Sequence, residues 1–143
     1  MRLNNKIALV TGAGSGFGRG IAARFAEEGA KLVVADINEE SAKNVAGEIG
    51  DSAIAVVADV SKNSDVEAMI QQSVAQWGRL DILVNNAGTT HRNKPMTEVK
   101  EEEFDRIFAV NVKSVFLTAR HGVPLMKEQR HGIILNVAST AGL

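Results

Sequence analysis

The chain has 143 residues, 45% of them hydrophobic, and a formal net charge of −1; that suits one domain with a buried core and argues against a nucleic-acid surface. It has no cysteine, which excludes disulfides and thiolate sites and is compatible with a cytoplasmic location. No apolar stretch approaches the roughly 20 residues of a membrane span, and residues 1–6 lack a signal-peptide layout, so no membrane partner is expected.

In chain order, Ile7 to Val10 reads as a short apolar strand. The segment Thr11-Gly12-Ala13-Gly14-Ser15-Gly16-Phe17-Gly18 follows, and then a helix from Arg19 to Gly29 with Ile21, Ala22, Phe25 and Ala26 at helical spacing. Lys31 to Ile37 is a second strand, almost wholly apolar, as a strand buried on both faces should be. Asn38 is a suitable N-cap for a helix to about Ile49. Ser52 to Asp59 reads as a third strand. Ser61 then caps a helix ending near Trp77-Gly78, with Val66, Met69, Ile70, Val74 and Trp77 on one face. Asp81 to Asn85 is a fourth strand and Thr89 to Thr97 a polar loop. A long helix starts at Thr97 or Glu101 and runs to about Lys127, with Pro124 bending its last turns. Gly132 to Ala138 is a fifth strand.

Strands alternate with helices throughout, which implies parallel strands joined by right-handed crossovers. The expected architecture is α/β: a single domain over residues 1–143, a doubly wound parallel sheet of Rossmann type, with five strands in the order 3-2-1-4-5. Ligands of such sheets bind beyond the carboxyl ends of the strands. Gly12, Asp36, Asp59, Asn85 and Ser139 all fall at such ends.

The glycine segment lies between a strand and a helix. Glycine permits tight turning and close approach of a ligand, and a helix N-terminus attracts anions, so the arrangement is a candidate phosphate cradle. G-x-G-x-x-G does not fit, because its third position falls on Phe17; no Walker Gly-Lys-Ser/Thr is present either. The pattern is Gly12-x-x-x-Gly16-x-Gly18, with Ser15 and Phe17 inside it. Asp36 ends the second strand, where a carboxylate can accept both ribose hydroxyls of an adenosine. The same charge repels a 2′-phosphate, and Ala13, Ser15 and Ile37 supply no cation, which favours NAD over NADP. Asp59 and Val60 can meet an adenine edge with a carboxylate and an N–H. Asn85-Asn86-Ala87-Gly88 suits a tight turn at the end of the fourth strand. Each feature also has a plainer structural explanation: a bare turn, a solvated strand-end carboxylate, a cap.

Taken together, Thr11-Gly12-x-x-x-Gly16-x-Gly18, Asn85-Asn86-Ala87-Gly88, Asn111 and Asn136-Val137-Ala138-Ser139-Thr140-Ala141-Gly142 resemble the short-chain dehydrogenase/reductase family, classical branch. The resemblance covers the whole chain in order. It implies an oxidoreductase that interconverts an alcohol and a ketone or aldehyde by hydride transfer with a nicotinamide cofactor. It makes Gly12, Ser15, Gly16, Phe17, Gly18, Asp36, Asp59, Val60, Asn85, Ala87 and Gly88 candidate cofactor-binding residues. Asn111 resembles the helix Asn that supports a proton-relay water, and Ser139 the Ser that hydrogen-bonds the substrate oxygen. The resemblance also implies a homodimer or homotetramer, with Phe104, Ile107, Phe108, Val112, Val115 and Phe116 on the pairing helix.

One departure is large. The family's catalytic Tyr-x-x-x-Lys follows the Ser motif, and this chain contains no tyrosine. The expectation is an N-terminal part of a longer dehydrogenase, inactive by itself, with C-terminal strands and helices missing. The alternative is an NAD-binding module or pseudoenzyme without hydride transfer; another Rossmann-type enzyme, such as a methyltransferase, is disfavoured by Asn85-Asn86-Ala87-Gly88 and the Ser139 motif. His91, His121 and His131 form no metal-ligand pattern. Arg92 and Lys94, in the loop after the fourth strand, are weaker candidates for facing a small-molecule substrate.

Overall fold

In the computed structural model, which describes residues 1–139, the apolar runs become the strands of one sheet. The elements are β1 (Ile7–Thr11), α1 (Gly16–Glu27), β2 (Lys31–Asp36), α2 (Glu39–Ile49), β3 (Ala53–Val57), α3 (Asn63–Trp77), β4 (Ile82–Asn85), α4 (Glu101–Phe108), α5 (Ser114–Gln129) and β5 (Ile133–Asn136). All pairings are parallel and the order is β3-β2-β1-β4-β5, as expected. Leu9 stands opposite Val33 on one side and Leu83 on the other, so β1 is the centre of the sheet.

Side chains of a strand alternate between faces, and the two faces bury separate cores. Leu9, Val33 and Leu83 pack with Val66, Met69 and Ile70 of α3 and Leu117 and Met126 of α5. Val10, Leu32, Val34 and Val84 pack on the other face with Ala22 of α1 and Ala42 and Val45 of α2. Burying each large aliphatic side chain contributes roughly 1.5–3 kcal/mol. Asp81 secures the opposite end of the sheet from the strands' carboxyl ends. Its carboxylate accepts the Ile7 N–H at 2.8 Å and Arg79 Nε at 3.0 Å, with His131 Nε2 at 3.4 Å.

Several local expectations change. α1 begins at Gly16, inside the glycine segment, so the turn and the first helical residues overlap. Asn38 caps α2 as expected, its side chain accepting the Ser41 N–H. Ser61 does not cap α3. Its N–H and hydroxyl both go to Asp59 Oδ1, and Lys62 occupies the cap position. The loop after β4 contains a short 3₁₀ turn, Met96–Glu98. The long helix is not continuous α: five residues, Ala109–Lys113, form a π segment between α4 and α5. α5 runs past Pro124 to Gln129.

Candidate functional site

The carboxyl ends of β1 to β4 border a cleft of about 490 Å³. Five separated parts of the chain line it: Gly12 with Ser15 to Phe17, Asp36 with Ile37, Ala58 to Val60, Asn86 to Thr89, and Arg106 with Val110.

Backbone geometry fixes the glycine turn. Gly12 has φ +62, and a Cβ there would lie 2.9 Å from Ala87 Cα. At Gly18 a Cβ would collide with the carbonyl oxygen of Gly12, so the turn folds directly onto α1. Gly18 therefore shapes the cleft without lining it. Ser15, the N-cap of α1, makes no side-chain cap hydrogen bond, and the first turn has no acidic residue. The N–H groups of that turn lack intrahelical acceptors and carry the positive end of the helix dipole, a setting for an anion. Phe17 lines the cleft and is 84% exposed.

Asp36 sits on the rim. One carboxylate oxygen accepts the Gly14 N–H and the other the Asn38 N–H, both at 2.9 Å. An ionised carboxylate has about four acceptor positions, so capacity remains for donors of a ligand. Asp59 takes both Ser61 donors on Oδ1, and Lys62 lies 3.5 Å from Oδ2. The Ser61 hydroxyl is the main reason that its carboxyl stays below its ordinary range, against the opposing effect of partial burial. Val60 lines the cleft beside it.

The β4 end is tied to the glycine turn. The buried Thr11 hydroxyl accepts the N–H groups of Asn86 and Ala87, both at 3.0 Å, and lies 3.2 Å from the Val84 carbonyl it donates to. The Asn86 carboxamide donates to the Thr11 carbonyl at 3.0 Å and the Gly12 carbonyl at 3.3 Å. Ala87 and Gly88 line the cleft. Asn85 does not. Its side chain turns inside, donating to Asn136 Oδ1 and accepting the Thr118 hydroxyl, both at 2.8 Å.

Asn111 lies in the π segment. Its carboxamide accepts the Thr89 N–H and donates to the Thr89 carbonyl, each at 2.8 Å, and so fixes a residue that lines the cleft. Ser139 lies past the end of β5, exposed, and is not among the lining residues. Thr140, Ala141 and Gly142 of its motif lie outside the described residues. Neither Arg92 nor Lys94 lines the cleft; Lys94 pairs with Glu103 at 2.6 Å instead. That Lys94 hydrogen bond is the main cause holding the Glu103 carboxyl below its ordinary range.

Sequence reasoning did not single out Asn86, Thr89, Arg106 and Val110 as cleft residues. Asn86 had a signal, since strand alternation sends two consecutive Asn side chains to different sides. Arg106 had none, because a charged residue on a helix ordinarily marks a solvated face.

The model of the short chain dehydrogenase family matches residues 6–143. The chain belongs to the short-chain dehydrogenase family. Among its relatives, 4-formylbenzenesulfonate dehydrogenase TsaC1/TsaC2 of Comamonas testosteroni is 49% identical over 146 residues, which cover 100% of this chain and 58% of that protein. A sorbitol dehydrogenase of Cereibacter sphaeroides is 39% identical, over 99% of this chain and 56% of its own length. The crystal structure of a 3-ketoacyl-(acyl-carrier-protein) reductase from Brucella melitensis, complexed with NADH, superimposes with a TM-score of 0.95 at 51% identity. That match covers 97% of this chain and 59% of the reductase. This short-chain dehydrogenase chain thus spans about three fifths of the length of these relatives. Among the described residues no helix is long and apolar enough to cross a membrane.

Proposed function

We propose that the chain forms the nucleotide-binding part of an oxidoreductase that moves hydride between NAD(H) and a small alcohol or carbonyl compound. The observation that carries this reading is the Asp36 carboxylate on the rim of the cleft, hydrogen-bonded to the N–H of Gly14 in the glycine turn. The residues fit a dinucleotide. Gly12, Ser15, Gly16, Phe17 and Gly18 form the pyrophosphate cradle, and a Cβ added at Gly16 would have nothing within 4 Å, so that side is open to a ligand. Asp36 takes the adenosine ribose, and Asp59 and Val60 take the adenine. Ala87 and Gly88 supply the wall, and Asn85 anchors the end of β4 that leads into it through Asn136 and Thr118. The NADH bound in the Brucella reductase supports a nicotinamide cofactor here.

When bound, the nicotinamide gives or accepts the hydride. Ser139 orients the substrate oxygen, and Asn111 supports the proton path. The accompanying proton needs an acid/base group, and in the family that group is a tyrosine, of which these residues have none. The 143 residues alone are therefore expected to be inactive. The stripe of Phe104, Phe108, Val112 and Phe116, each at least 50% exposed, is where a second copy packs in a homodimer or homotetramer. A cytoplasmic setting suits this chemistry.

Titration calorimetry of the full-length protein tests the cofactor. NAD(H) should bind more tightly than NADP(H), and Asp36→Ala should narrow the difference, because it removes charge-assisted bonds worth roughly 1.5–3 kcal/mol each. Equal or tighter NADP(H) binding would overturn the preference. NADH binding without turnover on a panel of alcohols and sugars would favour a binding module.

A further inference from the structure

Arg106 enters the cleft from α4, and among the described residues lining the cleft it is the only cation. Its Nη1 donates to Thr89 Oγ1 and its Nη2 to the Thr90 carbonyl, both at 3.3 Å. Asn111 takes the backbone of the same Thr89 from the other direction, through two 2.8 Å hydrogen bonds. Upstream, Glu103 holds Lys94 at 2.6 Å. Three side chains of the helical stretch thus fasten the segment that leaves β4. The part nearest the cleft, Thr89, has its N–H, carbonyl and hydroxyl all engaged. Ala87, which lies against the glycine turn, and Gly88 come immediately before it.

We propose that Arg106 is a positioning residue for the nucleotide: its two-pronged hold on Thr89 and Thr90 presets the Ala87–Thr89 wall before a ligand arrives. The inference rests on the NAD(H) reading of the cleft. Without the guanidinium, the Thr89 hydroxyl and the Thr90 carbonyl lose their side-chain partner and only the Asn111 hold on the Thr89 backbone remains, so more conformational entropy is lost on binding and subtracted from affinity. Arg106 is itself exposed, so its hydrogen bonds add little to the stability of the free protein. The geometry requires a planar fork reaching two acceptors, which lysine cannot reproduce although it keeps the charge.

The experiment compares Arg106→Met, Arg106→Lys and Thr89→Val in the full-length protein, using NADH fluorescence titration and thermal unfolding with and without NADH. Arg106→Met should weaken NADH binding about five- to tenfold and Arg106→Lys about threefold or more, as loss of two modest hydrogen bonds implies. Thr89→Val, which removes one acceptor, should weaken it less, and its effect should not add to that of Arg106→Met, because the two act through one contact. The melting temperature without ligand should stay within about 2 °C of the parent, while the NADH-induced rise should shrink. NADH affinity within about twofold of the parent in Arg106→Met, or full rescue by lysine, would overturn the proposal. So would a fall in ligand-free melting temperature that accounts for the lost affinity. Failure of the parent itself to bind NADH would overturn the cofactor reading and this inference with it.

Discussion

Thr11 and Asn86 hold each other reciprocally across the β1–β4 pair. The Thr11 hydroxyl accepts the Asn86 N–H at 3.0 Å, and the Asn86 carboxamide returns a 3.0 Å hydrogen bond to the Thr11 carbonyl. Because the same hydroxyl also accepts the Ala87 N–H, one side chain satisfies two donors where the strands end. Thr11→Val keeps the shape and removes the acceptor. Each buried donor left unpaired costs about 1–3 kcal/mol, so urea unfolding should show a loss in that range or above. Thr11→Ser should recover most of it. A Thr11→Val protein as stable as the parent would show that water or a rearranged turn satisfies both donors.

Gly18 and Gly16 should respond differently to alanine. At Gly18 the Cβ would meet the Gly12 carbonyl, which is backbone, so the turn itself must move. Gly18→Ala should abolish NADH binding and lower the melting temperature. At Gly16 there is space, but φ is +54, which costs an L-residue roughly 1–2 kcal/mol. Gly16→Ala should therefore fold with a modest loss. Thermal unfolding and NADH titration of both variants check the order; the reverse ranking would contradict the collision.

Asp81 joins β1, β4 and β5 at the end of the sheet away from the cleft. Asp81→Ala would leave the Ile7 N–H without its 2.8 Å acceptor and release Arg79 and His131. The expected destabilisation is about 1–3 kcal/mol. NADH affinity of the folded fraction should be unchanged, since Asp81 is not among the cleft-lining residues. Denaturant unfolding and ligand titration on one preparation separate the two effects.

Glu28 gives the fold an acid-sensitive fastening. It accepts the Arg2 N–H at 2.8 Å and the Arg2 guanidinium at 3.0 Å, and Arg24 reaches it at 2.5 Å. The Arg2 backbone N–H is the leading cause that lowers its carboxyl from 4.5 to about 2. A depressed folded value means stability that is fully present above the unfolded value and lost as pH falls through the folded one. The window for Glu28 therefore runs from pH 4.5 down to about 2. Asp59, Glu39 and Glu103 are shifted in the same direction and steepen the same acid slope. Glu28→Gln should flatten the fall of melting temperature across that window, as scanning fluorimetry at graded pH would show. An unchanged slope would rule Glu28 out as a contributor.

The sheet was legible because its causes are local. Runs such as Leu32-Val33-Val34-Ala35 are apolar on both faces, and Asn38 caps the next helix as its residue type predicts. The glycine turn was legible for the same reason. The π segment at Ala109–Lys113 was not, because Asn111 within it is engaged by Thr89, 22 residues earlier, a partner that periodicity cannot reveal. Ser61 looked like a cap until Asp59, two residues back, took its hydroxyl. Asn85 looked like a cleft residue, yet its partners are Thr118 and Asn136, 33 and 51 positions away. Local propensity sets the elements, whereas the direction of a polar side chain depends on acceptors supplied by distant ones.

The cleft draws its walls from five stretches that lie as far apart in sequence as Gly12 and Val110. No unfolded or half-assembled form of the chain brings those stretches together. A ligand held there consequently distinguishes the native arrangement from every other, and its free concentration becomes a dial on the folding equilibrium. At a hundred times its dissociation constant such a ligand adds about 2.7 kcal/mol to the native side. Saturation with nucleotide is thus also a means of recovering weakened variants, and the amount needed for rescue measures how much stability each substitution removed.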